Sequence, residues 1–116
     1  MPQTFNENRD LMKAFLIDPA IQSVTAVDLR SGLDEIRQLI GFDTVDSDEI
    51  NAAGDRLFFD EQCFIRNEPH AGRFKFATEA PVAGRGVIAC MVNGAFQDCS
   101  LTLAAIQQQL EFTPGG

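Results

Sequence analysis

Apolar and polar positions alternate with two different periods along this chain, and the period changes at identifiable places. Residues 13–18 form a short apolar run closed by Asp18-Pro19, a turn signal. Residues 23–29 are β-branched and alternating, the pattern of a strand with one face covered. The two are expected to pair as a hairpin joined around Pro19 to Gln22. The period then becomes helical. Leu33, Ile36, Leu39 and Ile40 share one face of a helix predicted over residues 31–41. Ser31 is placed to cap it, Asp34 and Glu35 suit the positive end of its dipole, and Gly41 can stop it in the left-handed conformation.

Strand-like pieces dominate the middle of the chain. A weak strand is predicted over 44–50, a turn at 53–55, a strand over 56–60, a turn at Glu61-Gln62 and a further short strand over 63–66. Residues 67–72 carry loop chemistry. Residues 73–77 alternate base and aromatic, which puts Phe74 and Phe76 on one face. The Ala83-Gly84-Arg85-Gly86 turn leads into 87–92, the most continuous apolar run and the expected central strand. Asn93-Gly94 is a tight-turn dipeptide. Ser100 or Thr102 is placed to cap a last helix over 103–112, with Leu103, Ile106 and Leu110 on one face. The expectation is an α+β fold: a mainly antiparallel sheet of about five to seven short strands with two helices packed on one face. Residues 1–11 read as a flexible N-terminal extension, 12–112 as a single α+β domain and 113–116 as a C-terminal tail.

Composition agrees with one globular domain. The chain has 116 residues, 45% of them apolar and 22% charged, which argues against a disordered or low-complexity chain. With no Trp or Tyr, ten Phe supply the aromatic volume of the core. No apolar run approaches the ~18 residues that span a bilayer, and residues 1–10 lack the apolar segment of a signal peptide.

Charge changes the picture more. The net charge is −8, so ordinary nucleic-acid binding is disfavoured. Within 42–61, Asp43, Asp46, Asp48, Glu49, Asp55, Asp60 and Glu61 stand against Arg56 alone. A basic segment follows, with Arg66, Arg73, Lys75 and Arg85 against Glu68 and Glu79. One reading is a solvated face that protects a strand edge. The sharper reading is an acidic interaction surface, one that imitates a nucleic-acid backbone.

Candidate chemistry is sparse. The Asp46-x-Asp48 spacing resembles the start of a calcium loop, but Asn51 stands where that loop needs glycine and Leu57 where it needs a chelating Glu. No metal or other cofactor is expected. The three cysteines, Cys63, Cys90 and Cys99, show no C-x-x-C pair and indicate neither a disulfide framework nor a zinc cluster. Reduced thiols fit the cytoplasm. His70 is the only histidine; with Cys63 and Glu68 it could form a nucleophile, base and orienter, but no surrounding signature supports that. Gly84-Arg85-Gly86 is a candidate anion cradle, with Arg73 and His70 to complete it. It is not a P-loop, since no Gly-Lys-Ser/Thr follows, and the alternative is a turn that needs glycine's freedom. No G-x-S-x-G or H-E-x-x-H occurs, and no catalytic residue is assigned.

Several segments together resemble a group of small uncharacterised proteins carried by phages, plasmids and other bacterial mobile elements. They are the opening at 12–19 (MKAFLIDP), the helix at 33–41 (LDEIRQLIG), Asn51 with 54–57 and Asp60-Glu61, the turn at 83–87 (AGRGV) and the segment 100–103. The resemblance spans residue 12 to about 110. It implies a bacterial cytoplasmic setting and carries over no catalytic residue. The expected function is therefore a non-catalytic binding or interaction module with a protein partner, an accessory of a mobile element. The alternatives are an acidic nucleic-acid mimic and a small anion- or nucleotide-binding sensor or enzyme. Neither direct nucleic-acid binding nor a membrane is expected. A homodimer through a strand edge or helix face is open.

Overall fold

The structure is a computed structural model, and it describes residues 11–30, 32–66 and 71–113. Among them are nine strands and three short helices: β1 (Met12–Asp18), β2 (Ser23–Leu29), α1 (Leu33–Ile40), β3 (Val45–Glu49), β4 (Asp55–Asp60), α2 (Cys63–Arg66), β5 (Arg73–Phe76), β6 (Val82–Ala83), β7 (Gly86–Val92), β8 (Ala95–Gln97), α3 (Leu103–Gln109) and β9 (Leu110–Thr113). The larger sheet runs β2-β1-β7-β4-β3, with β8 also paired to β7. The smaller runs β6-β5-β9. Every pairing is antiparallel, so the fold is α+β, as the strand-rich pattern implied.

The continuous apolar run does form the central strand. β7 lies between β4 on one side and, on the other, β1 along Gly86–Ile88 and β8 along Cys90–Val92. Both faces of this strand are covered, which is why its sequence shows no alternation. Val87 and Ala89 join Ala14, Leu29 and Phe58 beneath Ile36 and Ile40 of α1. Ile88 joins Phe15, Ile17 and Leu57 on the opposite face, beneath Phe74, Phe76 and Val82 of the small sheet and Ile106 of α3. The two longer helices therefore lie on opposite faces, not on one. The small sheet makes this possible by forming a third layer beside α3. Ile17, Ile36, Ile88 and Ile106 have no exposed surface, and each such side chain contributes roughly 1.5–3 kcal/mol of burial.

Gly86 fixes the spacing between the two sheets. A Cβ there would come within 2.5 Å of Phe74 Cζ, so the ring of the small sheet rests on bare backbone of the large one. This glycine is a packing element and not part of a turn.

Three local expectations change. The N-cap of α1 is Gly32, which offers no side chain to bond, and Ser31 lies outside the described residues. Gly41 does stop the helix, at φ 96°, with its N–H on the Arg37 carbonyl at 2.7 Å. Residues Cys63–Arg66 form a helical turn instead of a strand, since the Gln62 carbonyl accepts from both Ile65 and Arg66 at 3.0 Å. Finally, α3 ends at Gln109. Leu110 and Phe112 then pair with Phe76 and Phe74 as strand β9. Thr102 caps α3 by accepting the Ala105 N–H at 3.1 Å.

Candidate functional site

The acidic segment separates into two populations. β3 is one edge of the large sheet, and Asp46, Asp48 and Glu49 on it are exposed, as are Asp43 before it and Glu61 beyond the paired strand. Glu61 is held to this edge by its N–H, which donates to the Thr44 carbonyl at 2.8 Å. Asp55 and Asp60, by contrast, are 0% and 2% exposed. They do not belong to an acidic surface. Strand alternation explains both: Asp55 begins β4 on the face covered by α3, and Asp60 ends β4 where α2 closes over it.

Asp60 is the hub of one buried network. Arg66 Nε lies 2.6 Å from Oδ2, Gln62 N–H donates to Oδ1 at 3.1 Å, and the Thr44 hydroxyl also donates to Oδ1. Arg66 Nη2 in turn donates to Thr44 Oγ1 at 2.9 Å, and its guanidinium lies 3.9 Å from the centre of the Phe42 ring. Burial pushes the Asp60 carboxyl up. The Arg66 and Thr44 hydrogen bonds, the Gln62 N–H and the Arg66 charge outweigh that and hold it below the usual range. A cavity of about 30 Å³ beside the pair, lined among others by Cys63, Arg66 and Ala83, has room for about one water.

Asp55 is the hub of the second. It accepts from Asn51 Nδ2 at 2.8 Å, from Ser100 N–H at 3.0 Å and from the Ser100 hydroxyl. Burial again pushes the carboxyl up, and the Ser100, Asn51 and Cys99 hydrogen bonds bring it below its ordinary value. Two thiols flank it. Burial and the charge of Asp55 push Cys90 up, and burial first among the causes takes Cys99 up to about 12. Both are packed as protonated thiols, poor nucleophiles at neutral pH. Cys63 is half-buried and its sulfur accepts the Ala83 N–H at 3.5 Å. His70 and Glu68, its suggested companions, lie outside the described residues.

The Gly84-Arg85-Gly86 segment is structurally committed. Gly84 N–H donates to the Gly72 carbonyl at 3.0 Å, and Gly86 is inside the large sheet. Arg85 Nε lies 3.4 Å from Asp18, and its Nη1 donates to the Leu39 carbonyl at 3.3 Å. Arg73 is exposed on β5, with its guanidinium 5.2 Å from the Phe64 ring centre. Of the backbone groups a cradle would use, the Gly84 N–H is already engaged in a turn and Gly86 lies within the strand ladder. No group of three or more His, Cys, Asp or Glu able to hold a metal occurs among the described residues.

Sequence reasoning missed one surface feature. Phe64 and Ile65 on α2 are 51% and 81% exposed. Arg66, bridging Asp60 and Thr44, fastens α2 to the start of β3, so this apolar pair stands at the end of the acidic edge. A strand over 63–66 would put these neighbours on opposite faces, whereas the helical turn exposes both. Compared with known protein families, with curated proteins and with solved structures, the chain matches none. No described helix is long and apolar enough to cross a membrane.

Proposed function

We propose that this protein is a non-catalytic interaction module that presents the β3 edge to a basic, partly apolar surface of a protein partner. One observation carries the reading: five exposed carboxylates, Asp43, Asp46, Asp48, Glu49 and Glu61, border one edge, and exposed Phe64 and Ile65 stand at its end. Carboxylates steer a basic partner and set orientation, while an apolar anchor supplies affinity. We further propose a bacterial cytoplasmic setting and a mobile-element accessory role, a reading that rests on the segments 12–19, 33–41 and 83–87 alone.

A second reading is favoured by geometry. Asp46 and Asp48 point to the same face of β3, spaced at about 7 Å by two strand residues. That matches the ~7 Å between successive phosphates along a strand, about twice the 3.4 Å axial rise. On this reading the partner's bound surface is its nucleic-acid site.

One affinity experiment separates the readings. The tagged protein and an Asp46→Asn/Asp48→Asn/Ile65→Ser variant are incubated with bacterial lysate, washed at rising salt, then eluted with duplex DNA. A protein retained by the native chain, lost with the variant and released by salt supports the interaction module. Release by duplex DNA at constant salt favours mimicry. Equal retention by both chains refutes the assignment of this edge.

A further inference from the structure

The two edges of the large sheet are treated differently. β3 is five residues long and bears three exposed carboxylates, the usual protection against unwanted strand pairing. β2 is seven residues long and pairs, among the described residues, with β1 alone. It contains no Pro and runs in unbroken register with β1 from Ser23 to Leu29. Its only charge is Asp28, which lies opposite Lys13 on β1. Thr25 and Ala26 are exposed at its middle. Such an edge is an open template for another strand.

We propose that β2 pairs antiparallel with β2 of a second copy, with Ala26 on the two-fold axis, so that two sheets become one. Three observations favour a second copy as the occupant. The first is charge placement. Each chain carries −8, which opposes association. The sheet order puts the acidic β3 edges at opposite ends of the joined sheet, nine strand spacings or roughly 40 Å apart. That is several times the screening length of about 8 Å at physiological salt.

The second is register. With Ala26 facing Ala26, Thr25 faces Val27 and Val24 faces Asp28, and no like charges are opposed or diagonal. Moving the centre to Val27 or Asp28 brings the two Asp28 residues together, which destabilises a strand pair. The smallest side chain of the strand then occupies the crowded centre.

The third is a groove beside the edge. A cavity of about 490 Å³ runs along β2, lined by Gln22 and Val24, by Gln107 of α3 and by Leu110 and Phe112 of β9. Val24 and Ala26 point to this side, because Ile17 and Phe15 opposite them do. Asp28 of the second copy, facing Val24, enters this groove, where the Gln22 and Gln107 side-chain amides can donate to it.

Sedimentation of the native chain tests the pairing, alongside a Thr25→Lys variant that puts two lysines diagonally across the axis. The native protein is expected at twice the 12.7 kDa chain mass, with a concentration-dependent return to monomer. Thr25→Lys is expected to stay monomeric with an unchanged circular dichroism spectrum, because Thr25 is exposed. A Cys63→Ser background carrying Ala26→Cys should give a covalent dimer with a short thiol crosslinker, and the same background carrying Asp48→Cys should not. A native monomer at all soluble concentrations overturns the proposal. A dimer that survives Thr25→Lys, or that crosslinks through residue 48 and not residue 26, also overturns it.

Discussion

Asp55→Asn changes one buried oxygen to an amide and leaves the shape of the side chain intact. In the native protein Asp55 Oδ2 accepts from Asn51 Nδ2 and the Ser100 hydroxyl, and Oδ1 accepts from Ser100 N–H. The new amide keeps one acceptor and turns the other into a donor. Asn51 cannot flip to meet it, because its own Oδ1 already accepts from Ala53 N–H at 2.9 Å and Asp55 N–H at 3.2 Å. The Ser100 hydroxyl can rotate and accept instead. One buried donor is left facing a donor, at a cost of about 1–3 kcal/mol, and the surviving bonds lose their charge assistance, about 1 kcal/mol more. A loss of roughly 2–4 kcal/mol is expected near neutral pH, a large part of the 5–15 kcal/mol that holds a typical domain. The loss depends on pH in a defined direction. The folded carboxyl titrates below its unfolded counterpart. Its contribution is therefore complete above the unfolded value of about 4 and disappears as pH falls through the lower folded value. Urea unfolding of the native and Asp55→Asn chains should show a stability gap that is flat from about pH 7 to 5 and narrows towards about pH 3. A gap that stays constant over that range, or a variant as stable as the native chain at pH 7, would refute the account of Asp55 as an ionised structural hub.

Two further predictions concern the other buried contacts. Arg66→Ala leaves Asp60 buried with only Thr44 and Gln62 as partners, and should cost about 3 kcal/mol. Because the carboxyl then rises towards its unfolded value, it no longer contributes stability that acid removes; the gap between native and Arg66→Ala chains in urea unfolding should be widest near neutral pH and narrow towards about pH 3, and a gap constant over that range would count against the ion pair. Gly86→Ala drives a methyl to within 2.5 Å of Phe74 Cζ and 3.3 Å of the Phe58 carbonyl, an overpacking worth about 1–3 kcal/mol. Adding Phe74→Leu should recover part of that loss; strictly additive losses would show that the ring and the glycine do not touch.

The elements that could be read in advance are those whose periodicity is local. The β1–β2 hairpin is announced by an apolar run before Asp18-Pro19 and alternation after it, α1 by four apolar residues on one helical face, and β7 by an unbroken apolar run. Asn93-Gly94 forms its tight turn with positive φ at both positions, 53° and 79°. Two elements were open to a better reading. Leu110-Glu111-Phe112-Thr113 alternates with period two, the signature of β9, but follows a helical pattern so closely that Leu110 fits both. The four residues of α2 are too few for either period to declare itself. Of the candidate site, the exposed carboxylates at 43, 46, 48, 49 and 61 were legible, because acids at an edge meet water whatever lies behind them. The packing role of Gly86 under Phe74 was not legible for a physical reason. A glycine required for close packing and one required for a bent backbone look the same in a string of letters.

The sequence by itself determined the class of fold, the central strand, the first hairpin and helix, and the concentration of negative charge in one segment. Each follows from interactions within a few residues: side-chain spacing, turn preference and local composition. Only the tertiary structure decided that Asp55 and Asp60 are buried, that the two longer helices lie on opposite faces, and that β3 is a charged edge while β2, among the described residues, pairs with β1 alone. These depend on partners far away along the chain, such as Ser100 for Asp55, 45 residues distant, and Phe74 over Gly86. A carboxylate's place inside or outside is set by whether enough donors converge on it to offset lost hydration, and that convergence exists only once the chain has folded.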